Sequence, residues 1–199
     1  MIYFYSGTPG SGKSCHMADD MIWWLNSGKP CIGTVTINKD CLRKKHGKYS
    51  YVNIYDLDPN NLVKFSKRYF KNRPIKENQI LLVIDECHRI FNPRDWNHKT
   101  RGSWLTFFAE HRHLGYKIIL VAQNDRQLDR QIRCQIEYEF VHRKVNNFGI
   151  VGLFLALVTG GTLFVYVKIW KPMKEKVGSE FFRGRKKLYD FYNTFEQFQ

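Results

Sequence analysis

The sequence of 199 residues predicts an α/β fold, a three-layer sandwich with a mainly parallel central sheet and helices on both faces. Segments typical of strands and of helices alternate along the first 145 residues. Two of the strand-type segments, 80–84 (ILLVI) and 117–122 (KIILVA), are almost continuously apolar, as strands buried on both faces are. A glycine-rich segment separates the first strand from the first helix, which is a recurring unit of this class of fold.

The first half of the chain predicts two strands and two helices. The strands lie at residues 2–6 and 31–37, and the helices lie at residues 13–26 and 58–70. Ser27-Gly28 ends the first helix, because glycine readily adopts the left-handed conformation that follows a helix. Asp58-Pro59 begins the second helix, with aspartate as the N-cap and proline at the first helical position.

The second half of the core continues the alternation. Strands are predicted at 80–84, 117–122 and 134–145, and helices at 103–113 and 128–132. Gly115 ends the longer of these helices. In the last strand, Ile136, Tyr138 and Phe140 alternate with polar neighbours, which is the period-2 pattern of a strand. Strands separated by helices favour parallel pairing.

Residues 146–199 form a basic C-terminal extension to a core of residues 1–145. Residues 146–167 carry no charged side chain and are long enough to span a bilayer. Gly160-Gly161 lies near the middle of this apolar stretch, which is typical of a hairpin turn between two strands. We therefore favour a β-hairpin here and keep a membrane-spanning helix as the alternative.

The net charge of +14 favours an anionic partner: nucleic acid, a phosphate-bearing ligand or an anionic membrane surface. Segments 39–48 and 64–76 are basic and lie among aromatic residues, a combination that suits single-stranded DNA and a solvated basic face equally well. The five cysteines include no C-x-x-C pair, which argues against a zinc site or a disulfide framework. No secretory signal opens the chain, so we expect it to begin in the cytoplasm.

Residues 7–14 (GTPGSGKS) match the phosphate-binding pattern G-x-x-x-x-G-K-[ST], known as Walker A, at every position. Glycines let the backbone curl so that its N–H groups and the positive end of the next helix point at a β-phosphate. Lys13 is expected to contact the β- and γ-phosphates, and the Ser14 hydroxyl to bind Mg²⁺. The predicted nucleotide-binding residues are Gly7, Thr8, Pro9, Gly10, Ser11, Gly12, Lys13, Ser14 and Cys15. The sequence thus predicts a P-loop NTPase that binds ATP and Mg²⁺.

Polar residues follow two of the buried strands. Asp85 and Glu86 come directly after strand 80–84, where α/β proteins place ligand-binding groups. Asp85 is the candidate Mg²⁺ ligand of a Walker B motif, and Glu86 is the candidate base for the attacking water. Gln123 follows strand 117–122, where its side chain would position that water. The alternatives are a helix cap for the two acids and a plain turn for Gln123.

Five arginines are candidates for an arginine finger, the residue that stabilises charge on the transferred phosphoryl group. They are Arg94, Arg101, Arg112, Arg126 and Arg130. Each of them is as readily a solvated or salt-bridged surface residue. The sequence does not choose among them.

Three segments together resemble a known family. The order GTPGSGKS, IDECHRIFNPR and HRHLGYKIILVAQ is similar to the zonula occludens toxin family, the assembly and export ATPases of filamentous phages and prophages. The first segment is common to all P-loop proteins, and the other two are far more specific. The family patterns fall on Asp85, Glu86, Phe91, Arg94, Arg112, His113, Gly115, Ile118, Leu120 and Gln123. The resemblance implies that Gln123, Arg94 and Arg112 are site residues alongside Lys13 and Glu86.

The resemblance also implies a function. It implies an ATP-hydrolysing motor for virion morphogenesis and extrusion of single-stranded DNA, placed at the cytoplasmic face of the bacterial inner membrane. Expected partners are further copies of the chain, phage coat and export proteins, and the inner membrane through a segment beyond Gln199, with single-stranded DNA as a further candidate. A P-loop small-molecule kinase and a nucleotide-gated scaffold without turnover remain the alternatives, since both share residues 7–14.

Overall fold

The computed structural model describes residues 1–94 and 100–192, and these form eight strands and six helices. The strands are Ile2–Ser6 (β1), Cys31–Gly33 (β2), Tyr49–Tyr51 (β3), Ile80–Ile84 (β4), Tyr116–Val121 (β5), Tyr138–Lys144 (β6), Leu163–Trp170 (β7) and Glu175–Arg183 (β8). The helices are Lys13–Asn26 (α1), Pro59–Tyr69 (α2), Arg101–Glu110 (α3), Arg130–Gln135 (α4), Gly149–Thr159 (α5) and Lys186–Phe191 (α6).

All eight strands belong to one sheet with the order β3-β2-β4-β5-β1-β6-β7-β8. The first six strands in this order are parallel, and β7 and β8 are antiparallel to their neighbours. The mainly parallel sheet predicted from the sequence is therefore confirmed. Because parallel strands end at the same edge, the carboxyl ends of β1, β4 and β5 meet there. We call this the carboxyl edge.

Helices cover both faces of the sheet, giving three layers. Helices α2, α3 and α4 bury their apolar residues on one face, together with side chains such as Phe4, Leu82 and Leu120. Helices α1 and α6 cover the other face, against Val83 and Val121 among others. Consecutive residues of β4 and β5 thus point into different cores, which explains why these strands are apolar throughout.

Most element boundaries agree closely with the sequence prediction, but two predicted strands differ in their bounds and a third strand was not predicted. The predicted strand 31–37 ends at Gly33, and β3 was not predicted because it lies in a basic, polar segment. The strand predicted from residue 134 begins at Tyr138 instead. The preceding residues form α4, where the Asp129 side chain accepts a hydrogen bond from the Gln131 N–H and caps the helix.

The hairpin predicted around Gly160-Gly161 is wrong in its position. Residues 149–159 form helix α5 rather than a strand. The prediction failed because an apolar run of this length fits either structure, and its periodicity does not distinguish a helix from a strand. The two glycines adopt left-handed φ values of +64° and +68° and end the helix. They therefore form a helix C-terminus rather than a turn between two strands. The hairpin of the extension is formed by β7 and β8.

The extension continues the sheet of the core through the pairing of β6 with β7. Helix α5, with eleven residues, connects these two strands along the chain. Across residues 1–94 and 100–192, no helix is long and apolar enough to cross a membrane. Within residues 146–167, the structure contains α5, the two glycines that end it and the start of β7.

Helix α6 packs against α1 and forms an integral part of the core. Leu188, Phe191 and Tyr192 are buried in the same cluster as Met21 of α1. The Phe191 side chain is fully buried, and its carbonyl accepts a hydrogen bond of 2.9 Å from the Asn38 N–H. Burial of each large apolar side chain contributes about 1.5–3 kcal/mol. The C-terminal end of the described chain is thus held firmly beside the glycine-rich loop.

Candidate nucleotide-binding site

The loop between β1 and α1 has the curled backbone that its glycines predict. Gly7, Gly10 and Gly12 have φ values of +138°, +72° and +94°. These conformations are accessible to glycine and strained for other residues. Helix α1 begins immediately afterwards at Lys13, so its positive end faces the loop. The arrangement suits a bound anion.

Two of these glycines also lie where a side chain would not fit. A Cβ on Gly7 would lie 2.4 Å from the His142 carbonyl oxygen, and a Cβ on Gly12 would lie 2.7 Å from the Phe164 ring. Phe164 belongs to β7, so Gly12 permits the extension to pack directly on the loop. Gly7 and Gly12 are therefore also required by the packing of β6 and β7 on the loop.

Lys13 is folded back onto the loop. Its Nζ donates hydrogen bonds of 2.8 Å to the Gly7 carbonyl and 2.9 Å to the Thr8 carbonyl. Burial lowers the pKa of Lys13, while the nearby carboxylates of Glu86 and Asp85 raise it. The structure therefore brings Lys13 and both predicted acids close enough to interact electrostatically.

A cavity of about 260 Å³ opens beside the loop. Its walls are Gly10, Ser11, Gly12, Lys13, Ser14, Cys15, Phe164, Leu188, Tyr189 and Tyr192. The Ser11 hydroxyl oxygen is buried and lacks a hydrogen-bond partner among the described residues. Burial raises the pKa of Cys15 to about 11, so its thiol stays neutral and contributes an apolar wall. Six predicted binding residues thus line one cavity, whose opposite wall comes from the extension.

Asp85 lies at the carboxyl edge, immediately after β4, and is buried. Its N–H donates to the Thr34 hydroxyl at 3.0 Å. Its Oδ1 accepts from the Glu86 N–H at 2.9 Å, and its Oδ2 accepts from the Tyr192 hydroxyl at 2.7 Å. Burial raises the pKa of Asp85, and the hydrogen bond from Tyr192 opposes this shift. The carboxylate is therefore held in one orientation by protein donors.

Glu86 has a left-handed backbone, with a φ of +49°, which is uncommon for a residue with a side chain. It precedes a short 3₁₀ turn at Cys87–Arg89. Its carboxylate is partly exposed, and Oε2 lies 3.2 Å from His88 Nδ1. Strained residues of this kind concentrate at functional sites. The Glu86 side chain accepts no hydrogen bond from a backbone N–H of the 3₁₀ turn. The helix-cap alternative therefore does not describe Glu86.

Gln123 lies between the loop and the acid pair. It follows β5, which is the strand between β1 and β4 in the sheet. Its carbonyl accepts a hydrogen bond of 3.0 Å from the Gly7 N–H, and its side chain is exposed at the carboxyl edge. The structure thus places the backbone of Gln123 beside the glycine-rich loop.

Two of the candidate arginines are held in ion pairs. Arg112 contacts Glu137 Oε2 at 2.6 Å, and Glu137 also accepts from the N–H of Ile2, at the start of β1. Because the loop follows the other end of β1, Arg112 lies at the opposite edge of the sheet and is not brought into the site of its own chain. Arg101 pairs with Asp129 at 3.3 Å.

The other three candidate arginines, Arg94, Arg126 and Arg130, are exposed. Arg94 lies in the turn that follows the acid pair, where its N–H donates to Asn92 Oδ1 at 3.0 Å. Of these three, Arg94 is therefore the one that follows the candidate catalytic acids most closely along the chain.

The aromatic residues near the basic segments are largely structural. Phe70 is buried in the core, and Phe65 and Tyr69 pack against it with their own rings stacked. The Tyr49 hydroxyl donates to the Val35 carbonyl. These contacts favour the interpretation that the segments present a solvated basic face rather than a stacking surface for bases.

Two histidines beside the loop, the buried His142 and the half-buried His16, were not singled out from the sequence. His142 Nδ1 lies 3.1 Å from the Ser6 carbonyl and 2.9 Å from the Phe140 carbonyl, so it carries the hydrogen and donates. His142 Nε2 then accepts from His16 Nδ1 at 2.8 Å. Burial lowers the pKa of His16 to about 4 and that of His142 to about 3. Both rings are therefore neutral at pH 7.

A glycine-rich loop that leads into a helix, with an acid pair at the end of a nearby strand of a parallel sheet, defines a P-loop NTPase domain. The chain belongs to the zonular occludens toxin (Zot) family, whose model matches residues 1–193. The resemblance drawn from three short segments is thus confirmed over nearly the whole chain.

Curated relatives are phage proteins. The chain is 31% identical over 127 residues to the Gene 1 protein of Enterobacteria phage fd, a match that covers 59% of this chain and 36% of that protein. The chain therefore spans about a third of the length of the curated relatives it matches.

Solved structures share the fold. The N-terminal domain of zonular occludens toxin from Neisseria meningitidis has a TM-score of 0.58 at 17% identity, covering 96% of this chain and 98% of that one. The genome packaging NTPase B204 from Sulfolobus turreted icosahedral virus 2, in complex with ATP-γS, has a TM-score of 0.56 at 16% identity, covering 92% and 97%. At these identities the likeness extends to the fold alone.

Proposed function

We propose that this chain binds ATP at Gly7–Ser14, hydrolyses it, and serves as the motor domain for filamentous phage assembly and export. The observation that carries the chemistry is that Lys13 and Tyr192 line one cavity beside the curled loop, and that Tyr192 is hydrogen-bonded to Asp85, the neighbour of Glu86. The phage role is supported by the family and by the Gene 1 proteins of phages among the relatives.

The residues present suit the triphosphate and its metal ion. The buried Ser11 hydroxyl, which lacks a hydrogen-bond partner among the described residues, can donate to a phosphate oxygen, as can the N–H groups in the first turn of α1. Ser14 and Asp85 supply the oxygen ligands that Mg²⁺ prefers. Bound Mg²⁺ offsets the charge of the β- and γ-phosphates.

Hydrolysis follows from the placement of three side chains. Lys13 exchanges the carbonyls of Gly7 and Thr8 for phosphate oxygens. Gln123 orients a water, and Glu86 accepts its proton as the water oxygen bonds to the γ-phosphorus. The bond from that phosphorus to the bridging oxygen breaks, and ADP and inorganic phosphate leave. Glu86 at this position favours water as the acceptor over a kinase substrate.

The decisive experiment measures ATP hydrolysis with Mg²⁺ across a range of protein concentrations. Lys13→Ala removes phosphate binding, and Glu86→Gln removes the base, so we expect a fall in turnover of about hundredfold or more for each. Lys64→Ala and Glu110→Gln, at exposed positions on α2 and α3, are the matched controls and leave turnover unchanged. Glu86→Gln retains ATP binding, which separates loss of chemistry from loss of the site.

Three results would redirect the proposal. Unchanged turnover in Glu86→Gln would favour a scaffold that only binds nucleotide. A phosphorylated small molecule among the products would favour a kinase. ATP binding without turnover at any protein concentration would remove the motor function from this part of the chain.

We further propose that the site is completed between copies of the chain, with Arg94 as the arginine finger. Arg94→Ala and Glu86→Gln are each expected to be inactive alone. If the arginine acts on a neighbouring site, mixing the two variants restores part of the turnover, because some interfaces then combine an intact arginine with an intact base. Mixtures that stay inactive would place Arg94 outside the shared site.

The remaining parts of the proposal concern location and partners. By family membership, we place the domain at the cytoplasmic face of the inner membrane, as a homo-oligomer that contacts coat and export proteins. Single-stranded DNA is the proposed cargo. The net charge of +14 supports an anionic partner of this kind.

A further inference from the structure

Tyr192 connects the C-terminal end of the described chain to the candidate metal ligand. Its hydroxyl donates a hydrogen bond of 2.7 Å to Asp85 Oδ2, although the two residues are 107 positions apart. Both side chains are buried, with 7% of Tyr192 and 5% of Asp85 exposed. The contact therefore forms away from bulk solvent, where hydrogen bonds to a carboxylate are strong.

The two oxygens of Asp85 each have one protein donor. Oδ2 accepts from Tyr192, and Oδ1 accepts from the Glu86 N–H at 2.9 Å. A carboxylate oxygen has two lone pairs, so each oxygen keeps one for the water shell of a cation. Tyr192 thus fixes the plane of the carboxylate and leaves its capacity to bind a metal ion intact.

The contact belongs to the fixed core. Separating Tyr192 from Asp85 by moving α6 would expose Phe191, which is fully buried, and Leu188, which is 6% exposed. It would also break the hydrogen bond between the Phe191 carbonyl and the Asn38 N–H. Opening α6 in each catalytic cycle would repeatedly expose these buried apolar side chains, which is energetically costly. We therefore expect the contact between Tyr192 and Asp85 to persist when nucleotide binds.

We propose that Tyr192 is a positioning residue, which holds the Asp85 carboxylate in the orientation that receives the Mg²⁺ of the nucleotide complex. It acts through Asp85 and does not take part in the chemistry itself. This inference rests on the proposed function, because it assigns a further residue to the same site. It also gives the C-terminal helix a role in metal binding as well as in folding.

The test is Tyr192→Phe, which removes the hydroxyl and keeps the ring. Binding of a fluorescent ATP analogue is measured in EDTA and across a Mg²⁺ titration. We expect unchanged affinity in EDTA and a Mg²⁺ concentration for half-maximal effect that rises about tenfold, the loss expected for one hydrogen bond to a charged group. Tyr116→Phe is the matched control, since its buried hydroxyl donates to the Leu62 carbonyl at 2.8 Å on the opposite face of the sheet. It leaves both quantities unchanged.

A second measurement protects the test from effects on folding. In an Asp85→Asn background, Tyr192→Phe should change the Mg²⁺ dependence no further, because the two residues act as one unit. Melting temperatures of all variants report the stability of α6.

Several outcomes overturn the proposal. An unchanged Mg²⁺ dependence shows that Tyr192 does not position Asp85, and tighter Mg²⁺ binding shows that it obstructs the site. Equal losses of affinity with Mg²⁺ and with EDTA show a purely structural role. If the wild-type chain binds no ATP in any condition, the proposed function fails too, whereas normal ATP binding with unchanged Mg²⁺ dependence overturns this inference alone.

Discussion

The two faces of the sheet are held by different kinds of contact. Under α3, the rings of Phe91, Trp104, Phe107 and Phe108 form a cluster with centroids 5.0–5.9 Å apart. On the α1 face, the ring of His16 is instead stacked between Tyr5 and Tyr166, with ring centroids 4.6 Å from each. His16 is also hydrogen-bonded to His142. The first face is packed mainly by apolar rings, and the second combines rings with directional polar contacts.

The difference follows from what each face has to position. Ring packing stabilises the sheet but tolerates small displacements of its members. The loop at Gly7 needs its backbone in one conformation. The hydrogen bond from His142 to the Ser6 carbonyl fixes the orientation of the backbone just before the loop, because hydrogen bonds are directional. We therefore expect changes on the α3 face to alter stability alone, and changes on the α1 face to alter stability and nucleotide binding together.

The largest effect is expected for Phe108→Ala on the α3 face. Phe108 is fully buried and contacts three other rings of its cluster. Its truncation should lower the free energy of unfolding by about 3–5 kcal/mol. ATP affinity of the folded protein should not change, because the cluster lies on the face opposite α1. Urea unfolding and nucleotide titration measure the two quantities.

Phe181→Ala provides the contrast for this prediction. That ring is 66% exposed on β8, so its loss should change the free energy of unfolding by no more than about 0.5 kcal/mol. Weaker ATP binding by folded Phe108→Ala would contradict the division between the two faces.

A smaller loss of stability, with weaker ATP binding, is expected for His142→Phe. The change keeps an aromatic ring but leaves the Ser6 carbonyl and His16 Nδ1 without their partner, which costs about 1–3 kcal/mol. The loop next to Ser6 should then bind ATP less tightly. Urea unfolding and nucleotide titration again report both effects.

His111→Phe is the matched control at the opposite edge of the sheet. His111 is also buried, and its ring contacts the Phe108 carbonyl at 2.6 Å and the Met1 amino group at 2.8 Å. We expect a similar loss of stability with unchanged ATP affinity. Equal ATP affinities in the two histidine variants would show that the polar contacts under α1 do not position the loop.

The smallest effect is expected for mild acid. The pKa values of His16 and His142, about 4 and about 3 in the folded state, lie below the unfolded value of about 6.5. The unfolded chain therefore binds more protons as the pH falls below about 6.5, and stability falls with it. Near pH 6 the slope is below about 1.4 kcal/mol per pH unit for each histidine. Melting temperatures between pH 7.5 and 6 should fall less steeply in His142→Phe than in the wild type.

The parts of the site that sequence could predict are local. Residues 7–14 and the acid pair after β4 are short segments, and the residue types of each segment are enough to indicate its chemistry. The structure brings the two segments together. The cap at Asp58 was predictable for the same reason, since a cap acts within one helical turn. Gln123 required one further step, because its position depends on β5 lying between β1 and β4.

The parts that sequence could not predict depend on distant contacts. Nothing in the residues around Tyr192 or His142 indicates that they approach the loop, because sheet order brings them there. Arg112 matched a family pattern, yet its partner Glu137 holds it at the opposite edge. The run that forms α5 is apolar at nearly every position, so it carried no periodicity from which a helix or strand could be chosen.

The bond between Tyr192 and Asp85 has a consequence for the timing of synthesis. The ribosome makes the loop first and Asp85 next, and it adds Tyr192 only 107 residues later. At about 5–20 residues per second, that interval lasts about 5 to 20 seconds. During it, a nascent chain already carries residues 7–14 and Asp85 but lacks α6 and the Tyr192 hydroxyl that contacts Asp85. The proposed role of Tyr192 therefore implies that full affinity for Mg-ATP is gained only once α6 has left the ribosome and docked.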